Sequence, residues 1–379
     1  YEIASCLVGS EMCIRDRPEA TEYPRTIGKD GKLKVTRKND WTEGFYPGCL
    51  WYVYEYTNKE DWKKAAIKWT ESLEPLKKMT NHHDIGFLMY CSFGNAYRLT
   101  GNEAYKDVLV ESARSLCTRF NEKTGCIKSW NYRKSWNGKD EWFYPVIIDN
   151  MMNLELLYFA TKVTGDSVYA KVANRHAETT AKNQFREDYS NYHVVNYDAE
   201  TGEVLNQATC QGFSDNSAWA RGQAWAIYGY TMAYRETHRQ DFLDMAVHTA
   251  DFWLNHPNLP EDGIPYWDFN AGQEDYVPDW NYDPEIFKVV PRDASAAAIV
   301  ASAFLELSGY VTDGKKYSAA AAHILKSLSS PAYLAEPGTN CNFILMHSVG
   351  SIPHGEEIDV PLIYADYYYL EALMRYKNM

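Results

Sequence analysis

The chain has 379 residues, 45% of them hydrophobic, enough for a substantial core in one large domain or two to three ordinary ones. A net charge of −13 and a pI near 5.3 exclude nucleic acid and an anionic membrane surface as partners, because both require clustered Lys and Arg. No apolar run approaches the roughly 20 residues of a membrane-spanning helix, so a soluble globular chain is expected.

The opening stretch YEIASCLVGSEMCIRDR lacks the charged, apolar and small-residue order of a signal peptide. Its string SCLVGSEMCIRD resembles a translated sequencing adapter. Residues 1–22 are therefore expected to be non-native or disordered, with 23–379 forming a single domain. Compartment stays open between the periplasm and the cytoplasm of a bacterium.

Further along, five segments repeat one pattern: an apolar helix ending at a Thr, a short polar turn, and an aromatic five residues later that opens a second helix. They are YEYTNKEDW (Thr57, Trp62), YRLTGNEAY (Thr100, Tyr105), TKVTGDSVY (Thr164, Tyr169), YRETHRQDF (Thr237, Phe242) and GYVTDGKKY (Thr312, Tyr317). Gly101, Gly165 and Gly314 suit helix C-termini, and Asn102 and Asp166 suit the N-caps that follow. Helices before each Thr are apolar nearly all round; those after it are apolar on one face. A sixth buried helix fits DVPLIYADYYYLEALMRY, from Asp359 to Tyr376.

Six such hairpins close most simply into a ring, buried helices inside and amphipathic helices outside. An open solenoid is the competing arrangement, but its spacing would be regular, and the Thr-to-Thr intervals here are 43, 64, 73 and 75 residues. The inserted residues gather on the face opposite the tight turns, where long loops carry function.

The loop-side ends of the buried helices hold the unusual polar residues. NDWTEGFYPG contains Trp41, NHHDIGF contains Asp84, IIDNMMN contains Asp149, and FSDNSAWARGQAWAIYGY contains Trp219, Arg221 and Trp225. Asp84 and Asp149 each have an ordinary reading as helix caps. At equivalent positions of successive hairpins, however, they would face each other near the ring axis as a carboxylate pair. His82 and His83 beside Asp84 do not make a metal site, since adjacent histidines point apart and no ligand spacing accompanies them. Arg221 among tryptophans suits a substrate carboxylate through a bidentate contact. His193 and Gln211 lie in the long loop before that helix. The eight cysteines show no metal spacing and read as mostly buried thiols. No cofactor motif appears.

WTEGFYPG, HHDIGF, IIDNMMNLELLYFA, SDNSAWARGQAWAIYGY, RDASAAAIVASAFLEL and LIYADYYYLEAL, in this order, resemble the unsaturated glucuronyl hydrolases of glycoside hydrolase family 88 from about Tyr23 onward. That resemblance implies an all-α fold, an (α/α)6 barrel forming one catalytic domain. It implies Asp149 as general acid/base, Asp84 as partner carboxylate, and Trp41, His193, Gln211, Arg221 and Trp225 lining the uronate subsite, with Trp219 a weaker addition. Ser348 and Ser351 match part of a Ser-x-x-Ser-x-Lys loop found in members that take sulfated sugars, but Pro353 stands in the Lys position. RGQAWAIYG favours glycosaminoglycan-type disaccharides over the pectin fragments of the sister rhamnogalacturonyl family.

The implied reaction hydrates the C4=C5 double bond of a non-reducing-end unsaturated uronic acid made by a polysaccharide lyase. An Asp has an ordinary pKa of about 3.9, and apolar Ile147, Ile148 and Met151 together with the Asp84 charge are expected to push Asp149 upward. A monomer or weak homodimer is expected. A sugar epimerase or a non-catalytic sugar-binding protein on the same barrel are the rival functions; the first needs paired interior histidines, the second would lose the acids.

Overall fold

Four of the five threonine turns share one hydrogen-bond pattern. The hydroxyls of Thr57, Thr100, Thr164 and Thr237 donate to the carbonyls of Val53, Ala96, Ala160 and Ala233 at 2.6–2.7 Å. Each accepts in turn from the backbone N–H two residues on, at 3.1–3.4 Å. The residue after each Thr is left-handed: Asn58, Gly101, Gly165 and His238 have φ of 53–75°. One side chain thus ends a helix and starts the return. The aromatics Trp62, Tyr105, Tyr169, Phe242 and Tyr317 are all buried, each favouring the folded state by roughly 1.5–3 kcal/mol.

The computed structural model describes residues 21–37, 39–135 and 138–379. Residues 1–20, with Cys6 and Cys13 and most of the segment expected to be non-native, lie outside them. The helices are α1 (Phe45–Thr57), α2 (Glu60–Glu71), α3 (Ile85–Met89), α4 (Asn95–Thr100), α5 (Glu103–Cys117), α6 (Leu154–Thr164) and α7 (Val168–Asn183). They continue as α8 (Ala220–Thr237), α9 (Gln240–Asn255), α10 (Ala294–Leu307), α11 (Gly314–Leu328) and α12 (Ile363–Lys377). The inner ring runs α1, α3–α4, α6, α8, α10, α12, and α12 packs back on α1. Among the described residues α2, α5, α7, α9 and α11 stand outside it, so the barrel is closed and the solenoid is not formed.

Three expectations are corrected. Gly314 does not end a helix but begins α11; a Cβ there would overlap the Ser308 carbonyl. The second inner helix is broken by a π-helical turn, Tyr90–Gly94, whose loosened carbonyls are taken by Ser92 Oγ (to Leu88) and Asn95 Nδ2 (to Cys91). The third starts as a 3-10 turn, Ile148–Asn153, that carries Asp149.

Short strands, not foreseen from the sequence, brace the loops: β1 (Tyr23–Ile27), β2 (Leu33–Thr36), β3 (Pro145–Ile147), β4 (Val194–Tyr197), β5 (Val204–Ala208), β6 (Ser348–Ser351) and β7 (Glu356–Val360). β3, β4 and β5 form an antiparallel sheet, with Ile147 opposite Val194 and Val194 opposite Ala208. β6 and β7 form a hairpin over the same end of the barrel. Cys49, Cys91, Cys126 and Cys210 are buried thiols, while Cys117 and Cys341 are half-buried.

Candidate active site

Neither carboxylate caps its helix. Asp84 occupies the N-cap of α3 and Asp149 the first turn of the 3-10 segment, yet neither accepts a capping hydrogen bond from that turn. Each faces an imidazole instead. His83 Nε2 lies 3.3 Å from Asp84 Oδ1, and His193 Nε2 lies 3.5 Å from Asp149 Oδ2.

The tautomers follow from the other ring nitrogens. His193 Nδ1 accepts from the N–H groups of Cys210 and Gln211, both at 3.1 Å, so its proton is on Nε2. The β3–β4–β5 sheet sets this up: Ile148 N–H donates to the His193 carbonyl at 3.0 Å, which holds the imidazole beside Asp149. His83 Nδ1 is approached by Asn153 Nδ2 at 3.4 Å, while Asn153 Oδ1 accepts from Phe87 N–H at 2.9 Å, which again leaves the proton on Nε2. Gly86 permits this approach, since a Cβ there would overlap Asn153. Burial pushes His83 and His193 below the ordinary imidazole value, so both present a neutral N–H to a carboxylate. His83 feels the charge of Asp84 and, less strongly, that of Asp149.

Their surroundings differ. Burial alone would raise Asp84, but His83, His82 and the more distant Arg119 guanidinium hold it below the usual carboxylate range. Asp149 is 8% exposed, beside buried Ile147, Ile148 and Met151. The backbone N–H of Asp84 donates to His82 Nδ1 at 3.2 Å, and among the described residues no three His, Cys, Asp or Glu side chains converge as metal ligands.

Arg221 is tied into the protein around it. It is 1% exposed, and both terminal nitrogens are engaged: Nη1 with Asp293 Oδ2 at 3.1 Å and with the Val349 carbonyl, Nη2 with the Gly350 carbonyl at 2.7 Å. Asp293 and β6 thus take three of the five guanidinium N–H donors, and the guanidinium anchors that strand. Trp219 lies between His193 and Arg221, 4.5 Å from the imidazole ring and 4.5 Å from the guanidinium carbon. Gln211 Nε2 donates to the Gly350 carbonyl at 3.3 Å, joining the same strand.

Trp41 and Trp225 belong to an aromatic floor with Phe87 and Tyr364. Trp41 is 4.9 Å from Tyr364 and 5.5 Å from Phe87, and Phe87 is 5.2 Å from Trp225. Ser348 is buried in β6; Ser351 Oγ is 2.5 Å from His354 Nδ1. Several buried polar atoms here have no fully formed hydrogen bond within the protein: Asp149 Oδ2, His83 Nε2, His193 Nε2, Trp219 Nε1, Trp225 Nε1 and Ser348 Oγ. At the two histidines the neighbouring carboxylates stand close but out of line with the N–H. Unpaired buried polar atoms carry a free-energy cost, and their gathering at one end of the barrel is what a polar ligand site requires.

Sequence reasoning missed His83 as the group facing Asp84, Asn153 behind it, and Asp293 behind Arg221. Asp293 reads locally as a cap, accepting from Ser295 and Ala296 N–H; only the fold brings its second oxygen to Arg221.

The family model for Glycosyl Hydrolase Family 88 matches residues 19–257. An unsaturated glucuronyl hydrolase of Formosa agariphila is 49% identical over 363 residues, covering 95% of this chain and 86% of that protein. An unsaturated chondroitin disaccharide hydrolase of Streptococcus agalactiae is 35% identical, covering 94% and 86%. The crystal structure of an unsaturated glucuronyl hydrolase specific for heparin superposes with a TM-score of 0.91 at 45% identity, covering 100% of this chain and 96% of that one.

Proposed function

We propose a catalytic assignment for this chain, which belongs to glycoside hydrolase family 88 and acts as an unsaturated glucuronyl hydrolase. It hydrates the C4=C5 double bond of the unsaturated uronic acid at the non-reducing end of a lyase-generated oligosaccharide. In this assignment Asp149 gives its proton to C4, and the enol-ether electrons move to leave an oxocarbenium-like centre at C5. Water then adds to C5 and returns a proton to Asp149. The resulting hemiketal opens, and the neighbouring sugar leaves from C1.

The His193 Nε2–H, 3.5 Å from Asp149 Oδ2, carries the assignment. When Asp149 releases its proton it becomes an anion in a buried place, and a fixed N–H donor stabilises that charge as it forms. Asp84, held ionised by its imidazole partners, stays the permanent charge. The aromatic floor offers ring faces to the sugar. Neither carboxylate acts on the anomeric carbon, so the separation rule for retaining and inverting glycosidases has no bearing.

The preferred substrate in this reading is a glycosaminoglycan-type disaccharide. The RGQAWAIYG segment and the chondroitin and heparin specificities in the names of the relatives support it. The test follows the ultraviolet absorbance of the conjugated double bond with disaccharides from chondroitin, hyaluronan, heparin and rhamnogalacturonan. Decay with wild type and not with Asp149→Asn is expected. Equal decay with both would remove Asp149 from the assignment.

A further inference from the structure

A second polar chain borders the site and takes no part in the proton transfer. Arg133 and Lys134 pair with Trp142 and Glu141 in a short antiparallel ladder. The Arg133 guanidinium lies over Trp130, 4.7 Å from the ring centroid, and Trp130 meets the His193 ring edge-on at 6.2 Å. Arg133 Nη2 is 2.6 Å from His354 Nε2, and His354 Nδ1 is 2.5 Å from Ser351 Oγ.

A guanidinium only donates, so His354 Nε2 accepts and the ring proton sits on Nδ1, donating to Ser351. Burial first, then the charge of Arg133, pushes His354 down to about 3, leaving it neutral. The chain therefore carries its positive charge on Arg133, and that charge is felt at His193.

Position decides what this charge meets. Asp149, His193 and Arg221 are buried, whereas Arg133 and His354 are half-buried and neighbour the exposed Tyr132 and Lys134. If the uronate sits against the buried group, a second sugar that extends toward solvent past Trp130 meets Arg133. A protein of net charge −13 repels anionic sugars unless a local cation offsets this. A guanidinium fork matches the oxygens of a sulfate or carboxylate.

Resting on the hydrolase reading above, we propose that Arg133, held by Trp130 and the His354–Ser351 chain, recognises an anionic substituent on the second sugar and so selects among disaccharides. Its test compares kcat/KM of wild type, Arg133→Ala and Arg133→Lys on unsaturated disaccharides that differ only in a sulfate on the second sugar. Arg133→Ala is expected to lower the sulfated-to-unsulfated ratio at least tenfold, and Arg133→Lys to restore part of it. Equal losses on both substrates would mean that Arg133 serves the uronate carboxylate or only positions His193, and would overturn the proposal. An unchanged ratio, or a wild type that turns over the unsulfated sugar alone, would overturn it too. A wild type inactive on every unsaturated disaccharide would remove the hydrolase reading and this one with it.

Discussion

At the scale of single residues, the site is built from carboxylates whose partners are imidazole N–H groups. Asp149→Asn is expected to lower kcat by about 10²–10⁴-fold with KM little changed, since it removes the acid and leaves the shape. His193→Ala is expected to lower kcat by about 10²-fold, because the anion formed on Asp149 loses its donor; steady-state rates on a preferred disaccharide check both. Arg221 yields a different expectation. Its guanidinium is buried against Asp293 and two β6 carbonyls, so Arg221→Ala leaves a buried carboxylate unpaired and should cost about 3–5 kcal/mol in a urea titration. A change in KM without loss of stability would return Arg221 to substrate binding. Asp84 and Asp149 stand out in the sequence because they head successive apolar helices, and the structure places an imidazole beside each. Their histidines were less so: His193 is separated from Asp149 by a whole hairpin, and His83 was weighed only as a metal ligand.

At the scale of elements, the threonine turns are the most sequence-determined part of the molecule. Every atom involved lies within about two helical turns of the Thr, so local chemistry suffices. Gly165→Ala tests this: φ is 75° and no atom lies near the added methyl, so the cost should be the left-handed strain alone, about 1 kcal/mol. Thermal denaturation should show it while KM stays put. Gly86→Ala is the contrast, because its methyl would strike Asn153 and displace the partner of His83; both stability and kcat should fall. The fifth turn departs from the pattern. α10 ends at Leu307, before Thr312, and Gly314 is needed for contact with Ser308. The π-helical turn and the short strands were likewise illegible, since they answer packing from other segments and not local propensity.

At the scale of the whole molecule, the barrel buries histidines in neutral form, and that links its stability to pH. Burial lowers His83, His176, His193, His256 and His354, to about 3 for His176 and His354. Below an ordinary value of about 6.5 the unfolded chain takes up protons that the folded chain refuses, so this stability is lost as pH falls. Buried acids act the other way: burial raises Glu43 and Asp366 to about 7, and these favour the folded state at lower pH. A single histidine separates the two effects. His176 is fully buried, and its Nδ1 accepts from Ile127 N–H at 3.0 Å, a bond that a glutamine oxygen can replace. The stability advantage of wild type over His176→Gln should therefore grow by about 1.4 kcal/mol per pH unit between pH 4.5 and 6, and level off above about 7. A pH-independent difference in urea titrations would contradict the buried-neutral assignment.

The sequence by itself determined the helical hairpins, their inner and outer faces, the ring, and the end at which polar residues collect, because periodicity and turn chemistry are properties of neighbours in the chain. Only the tertiary structure decided that Asp84 and Asp149 face imidazoles and not helix ends, that Arg221 holds a strand, and that Arg133 meets His354 across 221 residues. Those contacts depend on which segments the closed ring brings together, and no local pattern encodes that.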